Sequence, residues 1–514
     1  MHRINLLKER RMMICNYRRV VAAVAVTSLL LLSGCLVGPK YHPPVAQVPA
    51  APNYKESPVN FQDEQGWKVA SPQDQMLKGK WWEIYNQPEL NALEDQLEIN
   101  NQNIQMYFQN FMEARAIVAE ARASLWPTIT AGIGGTRSKQ SGTLTNATIA
   151  NTGRTSTNLS LPIDIAWTPD FFGKFRNQIR ASQYGAQVSA ADLQNEKLTE
   201  EAALAQFYFE IRGQDALEKI LADTVEADQK SLDLTKTLYE TGIDAYISVA
   251  EAEATLQSAK ANLSDLGIMR AQYEHAIATL LGKPATDFSM PDKPMLVAPP
   301  PIPVGVPSQL LERRPDVAAA ERLLAEDNAV IGIGYGAFFP NVTLSATGGF
   351  QSSSFGNWFT WPSRFWSIGP QITQTVFNGW LYRAQLHQYT ATYNANLASY
   401  RQTTLTAFQQ VEDALATVRI TSQEIRDRQA ALKASQQYLD LELGRYQTGI
   451  DPYVDVIIAQ NTVLADQVTL ANAQVQQMVS SVNLIVALGG GWDRTQLPTP
   501  QQVGHTTSAD YKLP

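Results

Sequence analysis

Two hydrophobic periods take turns along this chain. In its second half, Phe408, Val411, Leu415, Val418, Ser422, Ile425, Gln429, Leu432, Gln436, Leu439, Leu443 and Tyr446 recur at steps of three and four, and nine of the twelve are apolar. That spacing predicts a coiled-coil seam on a single helix. No proline occurs from Gln371 to Asp451, so a helix from about Trp380 to Tyr446 can run unbroken for roughly 100 Å. The first half is likewise free of proline from Asp170 to Lys283. Ala407, Ala414, Ala430 and Ala434 beside the seam let neighbouring helices come close.

The helical period gives way to strict alternation in four places. Val342, Leu344 and Ala346 alternate with Asn341, Thr343, Ser345 and Thr347; Trp366, Ile368, Pro370 and Ile372 alternate with Ser367, Gly369, Gln371 and Thr373. Earlier come Ile129, Ala131 and Ile133, then Leu159, Leu161, Ile163, Ile165 and Trp167. Each run approaches the ~10 residues that a tilted strand needs to cross a bilayer. Aromatics gather at the ends, among them Trp126, Phe338, Phe339, Phe350, Trp358, Trp361, Phe365 and Trp380, as interfacial girdles require. Polar loops, Thr136 to Thr155 and Gln351 to Arg364, separate the strands of each pair. Four strands cannot close a transmembrane barrel, and two chains would give a barrel filled by its own side chains. Three chains would give twelve strands around a lumen. The competing reading is a half-buried sheet in a soluble domain.

The chain also repeats itself. Tyr239-Glu-Thr-Gly-Ile-Asp-Ala-Tyr-Ile-Ser-Val249 returns as Tyr446-Gln-Thr-Gly-Ile-Asp-Pro-Tyr-Val-Asp-Val456, identical at seven of eleven positions with an offset of 207. Two copies of one unit follow. Between them, Pro291 to Pro307 holds seven prolines and suits neither helix nor sheet interior. At the repeated Thr-Gly-Ile-Asp, Gly242 and Gly449 suit the left-handed residue that closes a helix. Asp244 and Asp451 then suit the N-cap of a returning helix, with Pro452 at its first position. Each unit is therefore expected to hold a long antiparallel helical hairpin with this turn at its tip.

Composition narrows the function. Arg3, Lys8, Arg10, Arg11, Arg18 and Arg19 precede the apolar run Val20 to Leu32, and Leu32-Ser33-Gly34-Cys35 follows, the layout of an export signal. Met12 and Met13 are alternative starts that would shorten its charged region. The 13 apolar residues are too few for a spanning helix. Leu-Ser-Gly-Cys resembles the lipobox of bacterial lipoproteins, which implies cleavage before Cys35 and acylation of its thiol. Leu36 stands where lipoproteins kept in the inner membrane usually carry aspartate, so the resemblance favours the outer membrane. The processed chain would carry 35 basic and 48 acidic residues, a net charge of −13 that argues against nucleic acid as partner.

Four segments then identify a family by resemblance. They are Gly34-Cys-Leu-Val-Gly-Pro-Lys-Tyr-His-Pro43, Trp81-Trp-Glu-Ile-Tyr-Asn-Gln-Pro-Glu-Leu90, Leu311-Glu-Arg-Arg-Pro-Asp316 through Phe339-Pro340, and the two Tyr-x-Thr-Gly turns. In this order they resemble the outer-membrane factor family, the TolC-like and OprM-like channels of tripartite efflux systems, in its lipoprotein branch. The resemblance implies an α+β membrane protein. A homotrimer would build a twelve-stranded β-barrel in the outer membrane and a long α-helical coiled-coil tube in the periplasm. It implies docking on a periplasmic adaptor (membrane fusion) protein and an inner-membrane pump of resistance-nodulation-division type. The family narrows its aperture with acidic residues at the helical tip, and that motif falls on Asp455. Three residues on, where some members have a second acid, this chain has Ile458, and the first-unit counterpart of Asp455 is Ser248. Adaptor contact carries over to Thr241, Gly242, Thr448 and Gly449.

Enzyme readings find little material. Gly132-Ile-Gly134-Gly135 and Gly332-Ile-Gly334-Tyr-Gly336 do not lie between a strand and a following helix, as a phosphate loop would. His42, His275, His387 and His505 are scattered without cysteines nearby, so no metal, cofactor or catalytic residue is expected. The expected organisation is a signal peptide at 1–34, a lipidated extended segment at 35–85, a first unit at 86–286, a Pro-rich linker at 287–307, a second unit at 308–489 and a tail at 490–514. The expected function is efflux of small molecules, drugs or other toxic compounds among them, to the exterior. The exit duct of a type I secretion system and a non-conducting coiled-coil lipoprotein stand as alternatives.

Overall fold

A computed structural model describes residues 36–44, 54–56, 79–139, 141, 155–302 and 312–504. Cys35, the signal segment, most of the first polar loop, part of the Pro-rich linker and the end of the tail lie outside the described residues. After a short 3-10 turn, Trp81–Tyr85, come α1 (Pro88–Asn100) and α2 (Gln102–Ala123), then β1 (Thr128–Ala131), β2 (Gly134–Lys139) and β3 (Thr155–Trp167). The first hairpin is α3 (Lys174–Glu240) and α4 (Tyr246–Leu280). The second unit follows with α5 (Pro315–Gly336), β4 (Asn341–Ser352), β5 (Arg364–Thr373), α6 (Leu381–Gln447) and α7 (Tyr453–Ala487), and a short α8 (Pro500–Gly504) ends it.

The repetition extends to helix length. In both units a 22-residue helix precedes the strands, a 67-residue helix follows them, and a 35-residue helix returns. The expected long helix from Trp380 to Tyr446 is α6, displaced by one residue. Its apolar seam positions Phe408, Val411, Leu415, Ile425 and Tyr446 are buried, whereas Gln429 and Gln436 are exposed. The seam therefore loosens where its apolar period lapses.

The strands form one antiparallel sheet in the order β1-β3-β4-β5, with β2 also on β3. The first alternating segment is divided into two strands. β1 and β2 keep a single register against β3, with Ala131 opposite Ile163 and Gly134 opposite Ser160. The gap falls at Pro162, which has no N–H to give and only accepts from the Gly132 N–H at 3.0 Å. Through β3 and β4 the two units join in one ladder, from Leu159 opposite Ser352 to Trp167 opposite Leu344.

The two faces of this sheet differ in chemistry. One row across it reads Ile129, Ile165, Ala346 and Ile368, and the next row on that face reads Ala131, Ile163, Gly348 and Trp366. Ile129, Ile368 and Trp366 are exposed, Trp366 at 78 %. The opposite face carries the row Thr130, Asp164, Thr347 and Ser367, in which Thr347 Oγ1 donates to Asp164 at 2.6 Å. Alternation has gathered the apolar side chains on one exposed face. One expected girdle residue behaves otherwise. Trp358 is buried, stacked on Phe359 with ring centroids 5.0 Å apart, and organises the outer loop.

Four apolar clusters hold the helices among the described residues, the smallest of them Val118, Ala186 and Val503. Trp81, Trp82, Tyr85, Leu90 and Leu97 pack on Tyr208 and Ile211 of α3, Ile277 of α4 and Val482 and Ile485 of α7. Val317 and Leu324 of α5 meet Tyr400, Val411 and Leu415 of α6. A third cluster joins the tips through Leu232, Val249, Leu256, Tyr446, Tyr453 and Val456. Between the units, α3 and α7 approach closely at Gly213, where an added Cβ would lie 2.3 Å from Val475 Cγ2. Gly213→Ala is expected to lower stability by about 1–3 kcal/mol through overpacking. Thermal unfolding in detergent checks this, and Gly213→Ala with Val475→Ala should recover most of the loss.

Candidate functional site at the hairpin tips

Each tip is closed by backbone geometry that its glycine permits. Gly242 and Gly449 have φ of 74° and 73°. The Gly242 N–H donates to Tyr239 O and Ile243 N–H to Leu238 O, and the Gly449 and Ile450 N–H groups bond Tyr446 O and Arg445 O in the same way. This double closure satisfies carbonyls that the helix end leaves open. Thr241 Oγ1 donates to Thr237 O at 2.9 Å and Thr448 Oγ1 to Gly444 O at 3.0 Å. Both threonines and both glycines are exposed at the extreme end of the hairpins.

The two aspartates are not N-caps. Those positions belong to Ala245 and Pro452, so Asp244 and Asp451 stand one residue earlier, and Pro452 is the cap rather than the first helical residue. The reason lies in what each carboxylate finds instead. Asp244 Oδ1 accepts from the Ala245 N–H at 2.7 Å and Ser248 Oγ at 3.0 Å, and Oδ2 accepts from Tyr446 Oη of the other hairpin at 2.8 Å. Burial works to raise the Asp244 pKa, but these donors prevail and hold it below the ordinary range. Beside Asp451, Pro452 has no N–H, so the equivalent of the Ala245 bond cannot form. Asp451 is gripped by Arg445 through Nε and Nη2, the latter at 2.8 Å, and this bond holds its carboxyl low.

Around Arg445 the second tip gathers charge. Burial first, and then Asp451 and Asp455, push the Glu442 carboxyl upward, while Arg445 opposes them. Asp455 sits half-buried in the first turn of α7, its N–H donating to Pro452 O at 3.2 Å. Ile458, one turn further, is exposed. In the first unit the equivalents of Glu442, Arg445 and Asp455 are Thr235, Leu238 and Ser248. The tips share a backbone and differ in electrostatics.

The hairpins are tied together by few polar contacts. Besides Tyr446 to Asp244, Gln460 Nε2 of α7 donates to Ser231 Oγ of α3 at 3.1 Å. One turn before Ser231, Asp228 is buried and its pKa is raised from 3.8 to about 6 by burial. The aromatic pairs are unequal. Tyr446 and Tyr453 pack with tilted rings 5.2 Å apart and are buried between the hairpins, whereas their counterparts Tyr239 and Tyr246, 5.5 Å apart, are exposed at 47 % and 62 %.

The sequence reading missed Arg445, Glu442, Asp228 and the Gln460 to Ser231 bond. Arg445 and Glu442 could have been found by comparing the units beyond their identical segment, since charge there replaces Leu238 and Thr235. Asp228 carries no such signal. At the far end of the helices the segment that follows Cys35 is held by hydrogen bonds. Val37 N–H donates to Phe172 O at 3.3 Å, Asn177 Nδ2 to Val37 O at 3.0 Å, and Tyr41 Oη to Glu321 O at 3.1 Å. Gly38, at φ 125°, lies so near Gly332 that a Cβ would come within 2.7 Å of its Cα. The amino-terminal segment is thus fixed where the sheet meets the helices. Among the described residues, no group of three or more His, Cys, Asp or Glu is arranged to hold a metal ion.

This architecture has known relatives. Residues 93–283 and 306–490 each match the family of outer membrane efflux proteins. The chain is 30% identical over 486 residues to the probable efflux pump outer membrane protein TtgC of Pseudomonas putida, covering 91% of this chain and 95% of that one. It is 28% identical over 473 residues to the solvent efflux pump outer membrane protein SrpC of the same species, covering 91% and 98%. Among solved structures, the outer-membrane channel OprN superposes with a TM-score of 0.79 at 28% identity, over 89% of this chain and 100% of that one. A membrane protein from Pseudomonas aeruginosa gives 0.80 at 26%, over 90% and 98%. Both matched spans hold a helix, strands and a 67- and 35-residue hairpin, and on these grounds the chain belongs to the outer membrane efflux protein family.

Proposed function

We propose that this protein is the outer-membrane exit duct of a tripartite efflux pump, carrying small toxic molecules such as drugs or solvents to the exterior. The observation that carries the reading is the sheet. It is apolar and exposed on one face, hydroxyl- and carboxylate-lined on the other, and open at β1 and β5. Open edges cannot stand in lipid, because unpaired backbone groups there cost several kcal/mol each. Copies of the chain close them, and three give a twelve-stranded barrel wide enough for a lumen. The exposed Tyr239 and Tyr246, equivalent to a pair buried between hairpins, supply a matching surface for the next copy.

The long helices extend this barrel as a tube into the periplasm. Cys35 carries the acyl anchor, two residues from a segment pinned at the sheet end of the tube. Thr241, Gly242, Thr448 and Gly449, at the opposite end, meet a periplasmic adaptor protein, which links the duct to an inner-membrane pump of resistance-nodulation-division type. Asp455 contributes one carboxylate per subunit to the constriction there, with Ile458 adding an apolar ring instead of a second acid. Tyr446 to Asp244 and Arg445 to Asp451 hold the tip closed. A non-conducting lipoprotein would have no use for a two-faced sheet.

Four outcomes test the tip. Tyr446→Phe removes the donor to Asp244 and should raise the open probability of the isolated protein in planar bilayers about tenfold to a hundredfold, the worth of one hydrogen bond to a charged group. Asp455→Ala should raise ion leak and weaken cation preference, and unchanged conductance would remove it from the aperture. Asp228 binds its proton more tightly in the folded state, so its contribution favours the closed seam at low pH. That contribution is lost as pH rises from 3.8 to about 6 and is flat above. Hydrogen exchange at the tips should therefore quicken across this window in the wild type and show no such step in Asp228→Asn. The bonds of Asp244 and Asp451, whose pKa values are lowered, should persist until pH falls below the ordinary aspartate range.

A further inference from the structure

The two units differ where their sheets turn into long helices. In the first, Gly173 caps α3 in the left-handed region at φ 77°. Asp170 Oδ2 there accepts from the Arg176 N–H at 3.0 Å and its Nε at 3.1 Å. This junction is covered, with Phe172 stacked on Phe339 at 4.8 Å and bonded by the amino-terminal segment. At the same offset of 207, the second unit has Trp380 for Gly173, Phe377 for Asp170 and Arg383 for Arg176. Trp380 nevertheless keeps the left-handed backbone, at φ 67°. A bulky L-residue is disfavoured there.

What the exchange produces is an outward patch. Val376 is 94 %, Phe377 76 % and Trp380 61 % exposed. Phe377 meets Trp380 edge to face at 6.4 Å, and the Arg383 guanidinium lies 4.4 Å from the Trp380 ring centre. Arg383 has lost the carboxylate that Arg176 keeps, and it forms no ion pair among the described residues. The patch continues the apolar face of the sheet, since Ile372 at the end of β5 is also exposed. Among the described residues, the amino-terminal segment is hydrogen-bonded at the first junction and not at this one.

We propose that Phe377, Trp380 and Arg383 form a phospholipid site at the periplasmic leaflet, a non-covalent anchor for the second unit. Arg383 pairs with the phosphodiester, Trp380 lies at glycerol depth with its ring against the guanidinium, and Phe377 with Val376 contacts acyl chains. The occupant follows from the chemistry: an unpaired cation and aromatic rings at the edge of an apolar face match a headgroup above its chains. This inference rests on the reading of the strands as bilayer elements.

The test uses the full-length lipidated protein in nanodiscs of phosphatidylglycerol and phosphatidylethanolamine. The emission lost in Trp380→Gly should be quenched more by lipids brominated near the carbonyl than by lipids brominated near the methyl end. Arg383→Gln should retain about fivefold less phospholipid after mild detergent extraction, the effect of one cation near an anionic surface. Trp380→Gly should melt in detergent at or above the wild type, because glycine accepts the left-handed position. If Trp380 emission escapes quenching while total emission, which includes exposed Trp366, is quenched, the site is refuted and the bilayer reading stands. If neither is quenched, both fall. If Trp380→Gly dissociates the oligomer in detergent, the patch is a subunit contact and the proposal is overturned.

Discussion

Everything in this molecule hangs from the ladder between β3 and β4. Among the described residues it is the one place where the two units share backbone hydrogen bonds in a fixed register, from Leu159 opposite Ser352 to Trp167 opposite Leu344. A slip of one residue would turn every isoleucine to the polar face. With that register set, α5 packs against both α3 and α6 as they leave the sheet, and α7 can reach α3 at Gly213. The tips then meet far from the sheet through Tyr446 and Asp244.

Duplication gave two equal frames, and substitution has made them unequal at both ends. At the tips, one unit offers exposed tyrosines and the other a guanidinium among three carboxylates. At the sheet, one junction closes on an internal ion pair and the other opens on aromatic rings. Backbone geometry is kept in each case. Gly242 and Gly449 agree in φ to within a degree, and Gly173 and Trp380 both lie in the left-handed region although only one is a glycine. Conservation of the frame leaves the side chains free to take separate tasks.

The frame was legible because its signals are local and periodic. Steps of three and four along Phe408 to Tyr446 locate α6 to within a residue, and alternation locates the four segments that form the sheet. The break at Pro162 was written in the sequence but needs the partner strand's register to be noticed. The caps were misassigned because a short polar side chain before a helix is only one of several competing acceptors, and Tyr446 and Arg445, close only in space, decide where Asp244 and Asp451 turn. Burial of Asp228 is a property of two hairpins together, and no window along one helix contains it.

The equal lengths of α3 and α6 have a consequence for how such a chain can change. Both span the same distance between the sheet and the tips, 67 residues each, at 1.5 Å per residue about 100 Å. An insertion in one alone would lift its tip past the other and turn its seam out of phase by 100° per added residue. Only paired insertions, near a multiple of seven and repeated in the returning helices, preserve the match. The helices therefore act as a ruler calibrated twice, and the reach of the protein is the dimension least able to drift.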